Sequence, residues 1–224
     1  MKKLIVVTPP YFFPREGKIL LRLFQEGMER LHLRKPGSEK APFLSLLKEI
    51  PEVYHSRIVW HDHFEMLSKE EVFPRPAGIH LNRRNPAPPA GYRGDLSRSC
   101  HGLEEVKACL NAGRAESVGS LPASGGKSSF LYNYVFLSPL FPSISKEGYG
   151  SGFSLATLRE AAAAGVIGAR VVALGGLSAE TLPLIKELPF GGAAVLGSLW
   201  GKQPGTESPD EIIKRYNQLQ TCLI

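Results

Sequence analysis

The sequence predicts an α/β fold, a closed (β/α)8 TIM barrel forming a single domain over 1–224. Three observations carry this. Short apolar runs alternate with segments of helical spacing, and the runs number eight, the count that closes a barrel. The runs are apolar almost throughout, as strands covered on both faces are. Their polar residues gather at the C-terminal ends, at Thr8, Arg34, Asp62, Asn82, His101, Ser138, Gly176 and Ser198. In a barrel those ends form one mouth, where active sites are built. An open doubly wound sheet is the weaker reading, because no GxGxxG opens the first helical segment.

The first run is Leu4–Thr8, and the amphipathic stretch GKILLRLFQEGMER leads into the second, Arg30–Lys35. FLSLLKEIPEVYH precedes the third, Arg57–Asp62, and the fourth is Gly78–Asn82. Residues 83–94, RRNPAPPAGYRG, hold too many prolines for a helix and read as a loop in place of the fourth one. HGLEEVKACLNAG follows the fifth run, Leu96–His101. Residues 114–129 are rich in Ser, Gly and Ala and read as a flexible excursion. Their GGKS lacks the upstream glycine of a P-loop, since Pro122 stands there. Tyr134–Pro139 is the sixth run and Arg170–Gly176 the seventh, with SLATLREAAAAGV between them. SAETLPLIKEL then leads to the eighth, Ala193–Leu199. Ser154 and Ser178 stand where N-caps belong, and Glu104 and Glu180 suit first helical turns.

Composition narrows the function classes. With 43% hydrophobic and 21% charged residues the chain is globular in type, not disordered. Cys100, Cys109 and Cys222 are too few, and odd in number, for a disulfide framework, so they read as thiols in a reducing compartment. The N-terminus has only four consecutive strong apolar residues, too short for a signal-peptide core. No segment approaches the ~20 apolar residues of a membrane span. A cytoplasmic protein is expected. The net charge of +6 points to anionic partners. The basic residues are dispersed without a run, which favours a phosphorylated small molecule over nucleic acid.

Several strand-end residues carry candidate chemistry. His101 shares strand parity with Ser99 and offers an imidazole that can take and return a proton near neutral pH; its bland reading is a structural histidine beside the next helix. Cys100 has the opposite parity and reads as a packed hydrophobe. Arg34 and Lys35 suit phosphate or carboxylate binding, with a solvated basic pair as the alternative. Ser143, Ser145 and Lys146 in a glycine-containing loop form a candidate anion cradle. Gly175-Gly176 and Gly197-Ser198 end adjacent runs, where barrels bind phosphate through backbone N–H groups. Asp62 stands between His61 and His63 and reads as an aid to hydrated Mg²⁺ or to substrate orientation. No Cys or His pattern has zinc spacing.

In order and spacing, LHLRK, the aspartate after run three, GIHL, SRSCHGLEEV, YVFLSPLFPSISK and VVALGGLSAET resemble the thiamine phosphate synthase family, including its thiazole tautomerase branch, TenI. The resemblance runs from about Leu4 to Gly201, interrupted by the excursion. It implies the same barrel and a thiazole phosphate as ligand. Arg34, Ser99, Ser143, Ser145 and Lys146 would then face the diphosphate region, with Gly176 and Gly197-Ser198 at the thiazole phosphate. Asp62 matches the synthase's first magnesium aspartate. The synthase's lysine falls on Pro36, with Lys35 as partial substitute; its asparagine falls on His61, and its second aspartate on Asn85. All three departures lie on the diphosphate–magnesium half. RSCHGLEE is similar to the tautomerase's RSVHSLEE, whose histidine is its acid–base. The sequence therefore favours a tautomerase using His101 without cofactor. The alternatives are a Mg²⁺-dependent synthase and a non-catalytic thiazole or thiamine phosphate-binding regulator. A homo-oligomer is compatible with each.

Overall fold

The computed structural model describes residues 3–68, 75–112, 132–142 and 152–223. Eight strands close in sequence order into one barrel: β1 Lys3–Val7, β2 Arg30–Leu33, β3 Ile58–Trp60, β4 Gly78–Leu81, β5 Asp95–Cys100, β6 Tyr134–Leu137, β7 Val171–Leu174 and β8 Gly192–Val195. Every neighbouring pair is parallel, and β1 closes on β8 in the register Lys3↔Gly192 to Val6↔Val195. Each predicted run holds one strand. The polar ends lie just beyond the strands, since hydrogen bonding stops where the chain turns into its loop.

Alternation along each strand sorts the side chains into two cores. Leu4, Val6, Leu31, Leu33, Ile58, Trp60, Ile79, Val135 and Val171 point outward into the large cluster beneath the helices. Ile5, Val7, Phe136, Val172 and Ala194 fill the interior. The interior therefore has an apolar plug. On the β2–β4 side the buried residues are polar instead, including His32 and His80.

The helices are α1 Glu16–Gln25, α2 Lys40–Lys48, α3 Leu103–Asn111, α4 Leu155–Ala163, α5 Gly197–Trp200 and α6 Pro209–Leu223. Ser154 caps α4 as predicted, accepting from Thr157 N at 3.0 Å. The stretch before β3 is not one helix: it breaks at Pro51, and Glu52–Arg57 continues as a 3-10 turn. The helix expected after β7 shrinks to a 3-10 turn, Leu182–Ile185, with Pro183 at its start. Ser178 accordingly caps no α-helix; its hydroxyl binds Glu180. Residues 83–94 form a loop as expected, and Asn82, placed at the end of the fourth run, already belongs to it. The run placed at 193–199 ends early, because Gly197 opens α5, and Trp200 Nε1 there donates to Val7 O at 2.7 Å. The C-terminal α6 packs on α1, where Arg22 meets Asp210 at 2.7 Å. No described helix is long and apolar enough to cross a membrane. The excursion at 114–129 lies outside the described residues.

Candidate active site

The floor of the mouth is a set of imidazoles from three consecutive strands. His32 comes from β2, His61 from the residue after β3 and His80 from β4. His32 Nδ1 lies 2.9 Å from His61 Nε2, and His32 Nε2 lies 2.6 Å from the Tyr134 hydroxyl. His80 bridges Ser97 Oγ at 2.9 Å and Ser99 Oγ at 3.0 Å. Burial holds His32 and His61 well below the ordinary imidazole range, with the neighbouring His80 adding to both. His80 is pushed down to about 3, by burial first and then by Arg98 and Arg34. The floor is therefore neutral. Each of the three rings offers a nitrogen within 4.8 Å of the others. The His61 and His80 rings nevertheless stack at 4.3 Å and 20°, so their in-plane lone pairs run side by side and do not converge on one ion.

Above the floor sits a charged rim. Asp62 is buried, its Oδ2 accepting from Lys35 N at 3.2 Å. Its Oδ1 accepts from Arg84 Nε at 3.1 Å and Arg84 Nη2 at 2.9 Å. Asn82 and Asn85 both donate their amides to His61 O, at 2.7 and 3.1 Å, and Asn82 Oδ1 accepts from Arg84 N. These bonds fix the loop that presents Arg84. Arg34 lies within electrostatic reach of both Asp62 and Arg84. Its pKa is lowered, by burial first and next by the charge of Arg84, with Asp62 opposing.

His101 follows β5 and is exposed. Its backbone N donates to Glu105 Oε2 at 2.8 Å, and Arg98 holds the other oxygen of that carboxylate at 3.3 Å. The His101 Nδ1 lies 2.8 Å from Ser138 O. A carbonyl oxygen only accepts, so Nδ1 carries a proton and Nε2 is the nitrogen left for another partner. Cys100 is buried beside Cys109, as a packed hydrophobe should be, and burial pushes its thiol pKa up.

Other expected contacts fall elsewhere. Lys35 does not reach the mouth. Its ammonium is fully buried, 2.6 Å from Glu16 Oε1, and also donates to Pro9 O at 3.1 Å and Tyr11 O at 2.7 Å. All three protons are used, so Lys35 is a structural cation and not the expected substrate contact. Ser99 reaches the floor through His80. Gly176 and Gly197-Ser198 follow the neighbouring strands β7 and β8, and the Ser198 Oγ is buried without a partner among the described residues. Gly176 has φ 66°, and an added Cβ would lie 2.7 Å from Phe141 Cβ and Pro142 O. Ser143, Ser145 and Lys146 lie outside the described residues. The imidazole floor and the role of Arg84 are what sequence reasoning missed. The available signal was an inward-parity histidine on the second and the fourth run, at His32 and His80, with His61 ending the run between them.

A solved structure of thiamine phosphate pyrophosphorylase from Bacteroides thetaiotaomicron is 40% identical, over 98% of this chain and 96% of its own, with a TM-score of 0.78. The chain belongs to the thiamine phosphate pyrophosphorylase family. A Pyrococcus furiosus thiamine phosphate pyrophosphorylase, 16% identical over 97% of this chain and 96% of its own, shares the fold at a TM-score of 0.63. A 3-hexulose-6-phosphate synthase, 14% identical over 100% of both chains, does so at 0.57. No family model and no curated protein matches the chain.

Membership in this pyrophosphorylase family raises the question of Mg²⁺. A magnesium ion favours carboxylate oxygens and its own waters. Here the first aspartate position, Asp62, is taken by a guanidinium, and the second is the amide of Asn85, bonded to His61 O. These residues do not fit a magnesium held between two carboxylates.

Proposed function

We propose that this member of the family acts on a thiazole phosphate as a tautomerase, aromatising a carboxylated thiazole phosphate by proton transfer at His101. The observation that carries the reading is the His101 Nδ1–H···O bond to Ser138, which anchors the ring and leaves Nε2 as the nitrogen for a ligand. Moving a proton between ring atoms needs one group that takes it and gives it back. Nε2 removes the ring proton, and the resulting imidazolium, still anchored through Nδ1, returns a proton to the ring. Net proton count is unchanged. Such assistance contributes about 10²–10⁴ in rate. The Ser198 hydroxyl, buried and without a partner among the described residues, supports a phosphate at the β7–β8 end.

The second reading is a synthase joining a pyrimidine methyl diphosphate to thiazole phosphate, and the name of the Bacteroides relative favours it. One experiment separates the two. Pure protein is incubated with the non-aromatic thiazole tautomer alone, and separately with both synthase substrates plus Mg²⁺. Aromatisation in the first tube that EDTA leaves unchanged, and that His101→Gln lowers by about 10² or more, is the expected result. Brisk thiamine phosphate formation that stops with EDTA would replace this reading with the synthase.

A further inference from the structure

We propose that Arg84 is a built-in cation, clamped on Asp62, and that with Arg34 it binds an oxyanion of the ligand directly, without a divalent metal. Two independent features point there. Arg84 spends Nε–H and one Nη2–H on Asp62 Oδ1, which leaves three of a guanidinium's five donors for another acceptor. Its side chain is 42% exposed, while Asp62 beneath it is 8% exposed, so the free donors lie on the open side. Arg34, for its part, has no hydrogen-bond or ion-pair partner for its half-buried guanidinium among the described residues.

Charge accounting over the rim supports the same site. Asp62 is paired with Arg84 alone, and Arg84 lies close enough to lower the pKa of Arg34, with Asp62 as the one charge opposing it. The floor adds nothing, because His32, His61 and His80 are buried and neutral. One positive charge is left over. A like-charge pair held together in a partly buried place gains most from an oxyanion that accepts from both forks. The Asn82 and Asn85 bonds keep the Arg84 loop in position before any ligand arrives, so little ordering remains for binding to supply. Asp62 on this account is a positioning residue that aims Arg84.

The shared chemistry is a carboxylate or diphosphate oxyanion. On the tautomerase reading it is the ring carboxylate, and to that extent the identity of the anion rests on that reading; the metal-free site does not. The test is calorimetric titration of the full chain with inorganic pyrophosphate and, separately, thiazole-2-carboxylate, each in EDTA and in Mg²⁺. Binding of at least one probe in EDTA that Mg²⁺ does not tighten is expected, and the tighter probe identifies the anion source. Arg84→Ala should weaken it roughly tenfold or more in EDTA, as the loss of a charge-assisted pair implies. Mg²⁺ should then restore part of the loss, because Asp62 has been freed. Arg84→Lys, which keeps the charge, should bind several-fold tighter than Arg84→Ala in EDTA. Binding by the wild type only in Mg²⁺, or Arg84→Ala binding as tightly as wild type in EDTA, would overturn the proposal, as would Arg84→Lys binding no better than Arg84→Ala. Failure here is separable from failure of the tautomerase reading: aromatisation with Mg²⁺-dependent anion binding sinks only this inference. Thiamine phosphate synthesis with EDTA-insensitive pyrophosphate binding sinks only the other.

Discussion

His32 and His61 share a hydrogen bond of 2.9 Å between Nδ1 and Nε2, inside the barrel and out of water's reach. With the 2.6 Å bond from His32 Nε2 to Tyr134, this makes a chain of neutral groups in which the His32 ring donates through one nitrogen and accepts through the other. A proton added to either ring would leave a buried charge, beside Arg30 for His32 and beside Arg34 and Arg84 for His61. The chain and the neutral His80 next to it are thus conditions of the folded state.

Acid should therefore destabilise the fold well above the carboxylate range. A histidine whose folded pKa lies below its unfolded value costs nothing above pH ~6.5, where both states are neutral. Below that, the unfolded chain takes a proton that the fold refuses, at about 1.36 kcal/mol per pH unit for each such group. For His80 the loss continues down to a pKa of about 3. Glu16, raised to about 7 by burial against the lowering effect of Lys35, works the other way and offsets roughly one imidazole. The net slope between pH 6 and 5 should be about 2.5 kcal/mol per unit, read by urea denaturation at several pH values. A flat profile over that interval would mean the imidazoles are charged or accessible in the fold.

The barrel was legible because its strands are local: each is one apolar run whose polar end marks the mouth, as at Trp60–Asp62 and Leu81–Asn82. Helix limits were less so, since a single proline, Pro51 or Pro183, turned amphipathic spacing into 3-10 turns. His101 could be found from strand parity, but the direction of its Nδ1 depends on Ser138, 37 residues away. Lys35 misled because a basic residue at a strand end reads as facing the mouth. Parity turns it outward, where Glu16 and two carbonyls form its cage. Arg84 read as one of several dispersed charges, and only folding of residues 82–85 brings it onto Asp62.

That cage makes a second prediction. Lys35→Met leaves Glu16 without its countercharge in a buried place, which costs about 3–5 kcal/mol when the carboxylate stays ionised. Glu16 already has a raised pKa, so it will take a proton instead when pH allows. The loss should be largest near pH 8 and smaller near pH 6. Adding Glu16→Gln should recover most of it, because the double variant buries no charge. Equal destabilisation by the single and double variants would show that the carbonyls of Pro9 and Tyr11, not the ion pair, hold this corner.

The last prediction concerns the phosphate end. Gly176→Asp is a poor probe of it, because φ 66° and the 2.7 Å approach to Phe141 and Pro142 would strain the loop along with any bound anion. Ser198→Ala is cleaner. The Ser198 Oγ is buried and has no hydrogen-bond partner among the described residues, so removing it deletes no hydrogen bond to them and relieves an unsatisfied group. Stability should stay level or rise slightly. A hydroxyl donating to a phosphate oxygen is a charge-assisted bond worth about 1.5–3 kcal/mol, so affinity for thiazole phosphate should fall by roughly ten- to a hundredfold. Calorimetry and a thermal melt on the same variant read both quantities. Unaltered affinity would move the phosphate away from the β8 turn, and a clear drop in melting temperature would give the hydroxyl a structural role instead.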